Sequence, residues 1–187
     1  MTENLSKNLK ELQEKALSYG ASAAKIVNIS TIQVGLWTRM KCQYGCPNFG
    51  SNLCCPPYAP SYETQRFLSE YKYGIIVEYT IDCPEVTTKD FTSIDTQLCN
   101  DLLEVLLKIE RDAFLLNHYR SFALKAGRCR LCDKCNLEKC VHPTKARPSL
   151  EACGIDVFAL ANDNGFNMKV INGPITQLKV YGLVLIE

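Results

Sequence analysis

The spacing of apolar residues predicts two long amphipathic helices. One covers residues 3–18, where the apolar positions recur at close to 3.6 residues: Leu5, Leu9, Leu12, Ala16 and Leu17. Lys and Glu fill the positions between them, and Gly20 is placed to end the helix. The other covers residues 92–116 and has the same period. Each of these helices therefore has one apolar side that must pack against another part of the protein.

Two shorter helices are predicted from capping residues. Ser61 can act as the N-cap of a helix that continues through Tyr71. Ser149 can act as the N-cap of another helix, in which Glu151 complements the helix dipole, and this helix is expected to end near residues 164–165.

Four segments rich in β-branched and apolar residues predict strands. They cover residues 24–34, with a bend at 28–30, and residues 73–79, 122–124 and 178–187. The resulting order, α-β-loop-α-β-α-β-loop-α-β, predicts one α/β domain over residues 1–187, with a small sheet flanked by helices. Two cysteine-rich, metal-binding loops are expected at one edge of that sheet, at residues 39–60 and 127–147, the second of them ferredoxin-like.

Composition narrows the functional classes. The chain has 21 Lys plus Arg against 20 Asp plus Glu, so a general nucleic-acid-binding or anionic-membrane-binding protein is not expected. The N-terminus lacks the apolar segment of a signal peptide, and no run of about 18 apolar residues occurs, so a cytoplasmic protein without a membrane span is predicted. Eleven cysteines in a reducing compartment indicate metal ligands rather than disulfides.

The later cysteine-rich loop has the most specific motif. Its cysteines are spaced C-x2-C-x2-C-x4-C: Cys129, Cys132, Cys135 and Cys140. Bacterial ferredoxins bind iron–sulfur clusters with a similar run, C-x2-C-x2-C-x3-C-P. Here the last gap is one residue longer, and Val141 and His142 separate the fourth cysteine from Pro143. The spacing favours a [4Fe-4S] cluster, with zinc as the alternative, because a structural zinc site usually takes paired cysteines from two separate segments.

The early loop has little periodicity but is rich in thiols, glycine and proline. Its cysteines are spaced C-x3-C-x7-C-C-P-P: Cys42, Cys46, Cys54 and Cys55. Metal ligation would order a loop that lacks a core of its own. Cys54 and Cys55 are adjacent and should point in different directions, so we expect only one of them to bind a given metal. The Cys55-Pro56 step resembles the end of ferredoxin loops and favours Cys55.

A local excess of positive charge surrounds the later run. Residues 125–147 contain seven Lys or Arg against two Asp or Glu. We interpret this excess as compensation for the negative charge of a thiolate-ligated cluster. Nucleic-acid binding is not expected there, because no aromatic residues are interleaved with the cations. His142 is interpreted as a residue that supports the cluster from outside its ligand shell, or as a surface residue.

Several segments together resemble a known family. They are Lys41–Gly50, Cys55–Pro60, Ala126–Cys132, His142–Pro143 and Ala146–Val157. They are similar to the cysteine-rich "predicted metal-binding protein" family of prokaryotes, a domain of unknown function common in anaerobes. The resemblance implies metal binding in a prokaryotic cytoplasm and supplies no established reaction. It also implies seven recurring ligand positions: Cys42, Cys46, Cys55, Cys129, Cys132, Cys135 and Cys140. Cys54 and Cys153 are further candidates.

Seven thiols do not divide into two sets of four, which leaves three arrangements open. In the first, Cys140 crosses to the early loop, and a distant cysteine completes the later cluster. In the second, the later run holds its own cluster, and the early loop holds another through three thiolates, with Cys54, Cys153 or an external molecule at the fourth iron. In the third, both loops share one cluster.

The sequence thus predicts an iron–sulfur protein that carries one or two [4Fe-4S] clusters, with two favoured, and transfers electrons to a partner protein. Two alternatives from other classes stay open. One is a metalloenzyme or metal-trafficking protein that uses an iron with an open coordination position. The other is a zinc-stabilised binding module. The sequence indicates no oligomeric state.

Overall fold

The computed structural model describes residues 2–59, 63–86 and 91–187. Its helices are α1 (Glu3–Ser18), α2 (Leu36–Gly45), α3 (Thr64–Leu68), α4 (Phe91–Leu115) and α5 (Val157–Asp163). Its strands are β1 (Ala23–Asn28), β2 (Tyr73–Val86), β3 (Phe122–Leu124) and β4 (Ile175–Leu185), and a short 3-10 helix (Ile29–Thr31) follows β1. The predicted α/β class is confirmed.

The four strands form one antiparallel sheet in the order β1-β2-β4-β3. In the two central strands, neighbouring side chains point to opposite faces, so each face carries its own buried cluster. Ile75 and Val77 of β2 pack with α1 and α4 on one face, whereas Ile76 packs on the other face with α5 and the segment that precedes it. Apolar residues are therefore buried on both sides of the sheet.

Helix α4 lies very close to β4. A Cβ added at Gly182 would stand 2.5 Å from Cδ1 of Leu106, so only glycine fits under this part of the helix. Leu102, Leu106 and Ile109 of the helix are fully buried in the same cluster. This contact fixes the helix over the edge of the sheet at which β3 enters the later cysteine-rich loop.

Several predicted boundaries differ from the structure. Strand β1 ends at Asn28 instead of residue 34, β2 continues to Val86, and β4 covers Ile175–Leu185. Helix α2 runs from Leu36 to Gly45, so the early cysteine-rich region begins on a helix and not in a loop at Arg39. Gly35, in an extended conformation, is its N-cap, and Thr38 returns a hydrogen bond to the Gly35 carbonyl. Helix α3 is shorter than predicted and begins at Thr64, and its predicted N-cap Ser61 lies outside the described residues.

The helix predicted from Ser149 does not form there. The hydroxyl of Ser149 accepts a hydrogen bond from the Ala152 amide, as a cap would, but the turn stops at Gly154, whose φ is +82°. Asp156 caps the helix that follows, α5, by accepting a bond from the Ala159 amide. A left-handed glycine ends a helical turn, and the prediction missed this stop signal.

No helix within the described residues combines the length and the apolar character needed to cross a membrane.

Candidate metal centre

Backbone hydrogen bonds hold the two cysteine-rich regions against a shared segment, residues 148–156. The Lys125 amide donates to the Pro148 carbonyl, and the Leu150 amide donates to the Lys125 carbonyl, which ties the start of the later run to this segment. Residues 33–35, just before α2, pair with residues 154–156 on the other side of it. The segment therefore sets the position of both regions relative to the sheet.

Three cysteines form the early thiol group: Cys42, Cys46 and Cys55. Cys42 lies in the last turn of α2, and the Cys46 amide donates to the Cys42 carbonyl at the helix end. The Cys55 amide donates to the Asn52 carbonyl in a turn that returns the chain to the helix. Burial raises the pKa of Cys55, and charge on Cys46 or Cys42 raises it further, which places the three thiols near one another.

Five cysteines form the late thiol group: Cys54, Cys129, Cys132, Cys135 and Cys140. All five line one cavity, together with the apolar side chains of Leu53, Leu131 and Val141. Cys54 and Cys129 are neighbours in this cavity, and the interaction between their thiols raises the pKa of Cys54 and lowers that of Cys129. The first thiolate of the group is therefore expected on Cys129.

Consecutive residues thus belong to different thiol groups. Cys54 lines the late thiol cavity and Cys55 does not, which agrees with the prediction that the two residues point in different directions. Charge on Cys46 and Cys42 affects the pKa of Cys55, and the backbone amide of Cys129 lowers it. Cys140 lies in the cavity of its own run. The later run therefore already has four neighbouring thiols without a contribution from the early loop.

A buried lysine lies beneath both groups. Lys125 is fully buried, and its Nζ donates to the carbonyls of Ala126, Gly127 and Arg128 at 2.6, 3.0 and 2.8 Å. Burial lowers the pKa of Lys125, while its charge lowers the pKa of both Cys55 and Cys129. One ammonium group therefore fixes the first turn of the later run and favours thiolates in both groups. In the sequence, Lys125 is one of seven cations in a basic run, and its role was not predicted. The apolar residues of β3 that come directly before it indicate that its side chain can be buried.

Much of the positive charge of the later run is already paired. Arg130 contacts Asp95 and Thr96, Arg147 contacts Glu110, and Lys145 Nζ lies 3.1 Å from Glu104. All four of these partners belong to α4. Three of the seven cations therefore attach the run to α4, while Lys125 lowers the pKa of one thiol in each group, and the interpretation of the charge excess as compensation for a cluster stays a prediction.

Three further cysteines and one histidine lie outside the two thiol groups: Cys153, Cys99, Cys83 and His142. Cys153 is 2 % exposed and packs in the cluster beneath the sheet, where burial raises its pKa to about 12. Cys99 is buried in the other cluster, and Cys83 lies on β2. His142 is exposed at the rim of the late thiol cavity, and its charge lowers the pKa of Cys129, which agrees with a supporting role.

A cleft of about 590 Å³ opens beside the early thiol group. Its walls include Cys42 and Cys46 together with apolar side chains: Trp37, Ile155, Val157, Phe158 and Met168. Glu151 also lines this cleft, and its Oε2 atom is buried without a hydrogen-bond partner. Glu151 was predicted to lie in the first turn of a helix and was not predicted as a site residue.

The donor set consists of thiols, which are ligands of both zinc ions and iron–sulfur clusters. Within residues 2–59, 63–86 and 91–187, no group of three or more His, Cys, Asp or Glu side chains is arranged to hold one ion. Thiolates around one zinc ion stand about 3.8 Å apart, given Zn–S bonds of about 2.3 Å. A [4Fe-4S] cluster binds each thiolate at a different iron and therefore accepts a wider arrangement of sulfurs.

Comparison with known proteins identifies the family. No curated protein and no solved structure matches the chain. The family model described as Predicted metal-binding protein (DUF2284) matches residues 25–186, a range that includes every cysteine of both thiol groups. The chain therefore belongs to this family of predicted metal-binding proteins.

Proposed function

We propose that the protein is an iron–sulfur protein with two [4Fe-4S] clusters and that it transfers electrons to a partner protein. The observation that carries this proposal is the placement of eight thiols in two groups: five line one cavity, whereas Cys42 and Cys46 line a separate cleft and affect the pKa of Cys55. A single structural zinc ion needs only four ligands, so it would leave half of these thiols without a role. Two separate thiol groups are the arrangement that two clusters require.

The late thiol group would hold one cluster through Cys129, Cys132, Cys135 and Cys140. Leu53, Leu131 and Val141 line the same cavity, so they would limit the access of water to the cluster. The early thiol group would hold the other cluster through Cys42, Cys46 and Cys55. This assignment corresponds to the second arrangement that the sequence left open, since the position of Cys140 in its own cavity removes the need for a crossing.

A [4Fe-4S] cluster supplies a one-electron couple whose potential depends on nearby charge, hydrogen bonds and solvent. In this chain, the buried Lys125 ammonium group would favour the reduced and more negative form of both clusters. Exposed apolar residues of α2, namely Leu36, Trp37, Met40 and Tyr44, lie beside the early thiol group. Such a patch supports the docking of a redox partner at this helix, since large exposed apolar patches often mark interaction sites.

The proposal is tested by measuring iron, sulfide and zinc per chain, with a visible spectrum, on protein purified without oxygen. We expect about eight irons and eight sulfides per chain and a broad absorption that dithionite bleaches. The Cys42→Ser and Cys132→Ser variants should each retain about four irons, because each removes a ligand of a different cluster. Zinc without colour would contradict the proposal and leave a zinc-stabilised module.

The ligand count at the two clusters can be checked with neighbouring variants. Cys55→Ser should reduce the iron content to about four per chain, whereas Cys54→Ser should leave about eight, because the later run has four other thiols. The two positions are adjacent, so they form a matched pair. Equal losses in both variants would contradict the assignment of Cys54 as a residue outside the ligand set.

A metalloenzyme or metal-trafficking protein remains the second candidate, and the cleft beside the early thiol group favours it. That cleft is large enough for a small molecule and is mostly apolar. An open iron position there would bind an external ligand directly. Addition of cyanide to the reduced protein would then change the EPR spectrum of one cluster, and an unchanged spectrum would count against this candidate.

A further inference from the structure

The early thiol group lacks a fourth sulfur. Cys54, one candidate for that position, lines the cavity of the late thiol group. Cys153, the other candidate, is 2 % exposed and packs in the apolar cluster beneath the sheet. A cluster held by Cys42, Cys46 and Cys55 would therefore need a ligand of another chemical type at its fourth iron.

A carboxylate lies in the right place. Glu151 lines the same cleft as Cys42 and Cys46, and it is the carboxylate-bearing residue among the described residues that line this cleft. Its negative charge raises the pKa of Cys42, although burial of that thiol is the larger cause. Lys41, the cation of the cleft, lies over the Trp37 ring, with Nζ 5.2 Å from the ring centroid.

The buried oxygen of Glu151 indicates that a partner is missing. Oε2 is buried and accepts no hydrogen bond. A buried carboxylate oxygen without a donor costs about 1–3 kcal/mol or more, and most buried polar atoms in native proteins are satisfied. A metal is one of the few partners that would offset this cost in a cleft lined by thiols.

Hydrogen bonds hold the backbone around Glu151 in a turn. The Ala152 amide donates to the Ser149 hydroxyl at 3.0 Å, and the Gly154 amide donates to the Glu151 carbonyl at 2.9 Å. The Leu150 amide is bonded to Lys125, whose Nζ fixes the start of the later run. Glu151 therefore sits in a bonded turn between the two cysteine-rich regions, as a ligand with a fixed direction should.

We propose that the carboxylate of Glu151 is the fourth protein ligand of the cluster held by Cys42, Cys46 and Cys55. This inference rests on the proposed function and makes it more specific. With a protein ligand at every iron, the early cluster has no open coordination position. The site then favours electron transfer over the binding of a substrate at iron.

The test is Mössbauer spectroscopy of the full chain loaded with ⁵⁷Fe, combined with iron and sulfide analysis. In the wild type, about one iron in eight should have the parameters of an oxygen-ligated site. In Glu151→Cys, that component should disappear, and all irons should resemble thiolate-ligated ones. Glu151→Gln, which weakens the ligand, should lose iron from the early cluster and retain about four irons per chain in the late one.

Glu138→Gln is the matched control. Glu138 is an exposed carboxylate in the later cysteine-rich loop, so its substitution should leave the Mössbauer spectrum unchanged. Circular dichroism shows whether each variant is folded. If Glu151→Cys does not fold, Glu151→Asp serves as the second test, because it keeps the carboxylate and should retain the oxygen-ligated iron. About eight irons with identical wild-type and Glu151→Cys spectra would overturn this inference and leave the proposed function intact. A protein with no iron and sulfide would overturn both.

Discussion

Lys125 buries an ammonium group whose donors are directed at three successive carbonyls of the chain that follows it. Such a group is costly to bury, and its hydrogen bonds offset that cost only while all of them are made. The positive charge of this ammonium group also lowers the pKa of one thiol in each group, Cys55 and Cys129. Both the local backbone and the charge near the metal centre therefore depend on one side chain.

Lys125→Met tests this dependence. The variant keeps the length of the side chain but leaves one buried and two part-buried carbonyls without this donor, so we expect it to lower the free energy of unfolding by about 3 kcal/mol. Urea unfolding followed by circular dichroism measures the change. Lys139→Met is the control, since Lys139 is exposed in the same run and should change stability by less than about 0.5 kcal/mol. Equal effects in the two variants would contradict a structural role for the buried ammonium group.

The thiol of Cys99 makes stability depend on alkaline pH. Burial raises the pKa of Cys99 from 9.0 to about 12. The folded state therefore keeps the neutral thiol above pH 9, whereas the unfolded chain ionises there, so the contribution to stability is complete below pH 9 and is lost as the pH rises towards 12. Between pH 9 and about 12, each pH unit should lower the free energy of unfolding by about 1.4 kcal/mol.

Comparison with Cys99→Ala isolates this effect from the ionisation of other groups. Truncation of the buried thiol should destabilise the protein at about pH 7.5. The difference in unfolding free energy between wild type and variant should then shift by about 1.4 kcal/mol in favour of the variant at about pH 10. A difference that stays constant from about pH 7.5 to 10 would show that the thiol is not held neutral by burial.

At the scale of secondary-structure elements, Glu110 of α4 links three parts of the fold. Its carboxylate accepts a hydrogen bond from the Ala123 amide of β3 at 2.6 Å and another from Nε of Arg147 at 2.9 Å. Glu110 and Arg147 are 15 % and 12 % exposed, so solvent screens this pair only weakly. The helix, the edge strand and the end of the later cysteine-rich loop therefore meet at one carboxylate.

Glu110→Gln should lower the free energy of unfolding by about 2 kcal/mol, because it removes the charge opposite a mostly buried guanidinium group. The matched control is Glu104→Gln on the same helix. Glu104 and its partner Lys145 are about half exposed, and such surface pairs contribute about 0–1 kcal/mol. Thermal or urea unfolding of both variants gives the comparison, and similar losses would contradict the difference in burial as the cause.

The sequence indicates the elements that follow a simple period and misses those that depend on distant partners. Helices α1 and α4 follow from apolar spacing, and the four strands follow from segments rich in β-branched and apolar residues. The first of these segments was predicted as a bent strand to residue 34, whereas β1 ends at Asn28 and a short 3-10 helix follows it. Helix α2 was not predicted, because it has weak periodicity and is positioned by pairing of residues 33–35 with 154–156. The segment at Ser149 has the local signals of a helix start, yet Gly154 ends the turn after a few residues.

The same distinction applies to the candidate metal centre. Spacing alone indicated the cysteines, because thiol ligands in short loops are local in sequence. The membership of Cys54 in the late thiol group depends on its contact with Cys129, 75 positions later in the chain, which no spacing rule encodes. Lys125 and Glu151 were missed as site residues for the same reason, since their roles appear only once both cysteine-rich regions meet at residues 148–156.

At the scale of the whole molecule, the sheet and the thiol groups are separate parts. Neither of the two buried apolar clusters contains a cysteine of the early or late thiol group among its described members. The sheet with α1 and α4 therefore has a core of its own, whereas the cysteine-rich regions contribute little to either cluster. Loops of this kind owe their order to metal ligation where metal is bound.

Removal of the metal should therefore loosen only part of the protein. Treatment with a chelator under oxidising conditions should speed amide hydrogen exchange in residues 42–59 and 127–147, because ligation no longer holds those segments. Amides of β2 and β4 should exchange as slowly as before. Hydrogen exchange with mass spectrometry measures both regions in one sample, and loss of protection in β2 and β4 as well would show that metal binding and the sheet are one cooperative unit.

The peptide bond between Cys54 and Cys55 brings the two thiol groups close together, which would affect the potentials at which two clusters take up electrons. Cys54 lines the cavity of the late thiol group and is joined to Cys55 of the early group, and consecutive Cα atoms are about 3.8 Å apart, so two clusters held by these groups would be near neighbours. An electron on one cluster would then repel the next electron through a medium of low dielectric constant. The protein would take up its two electrons at two separate potentials, one at a time, and would serve a partner that exchanges single electrons rather than pairs.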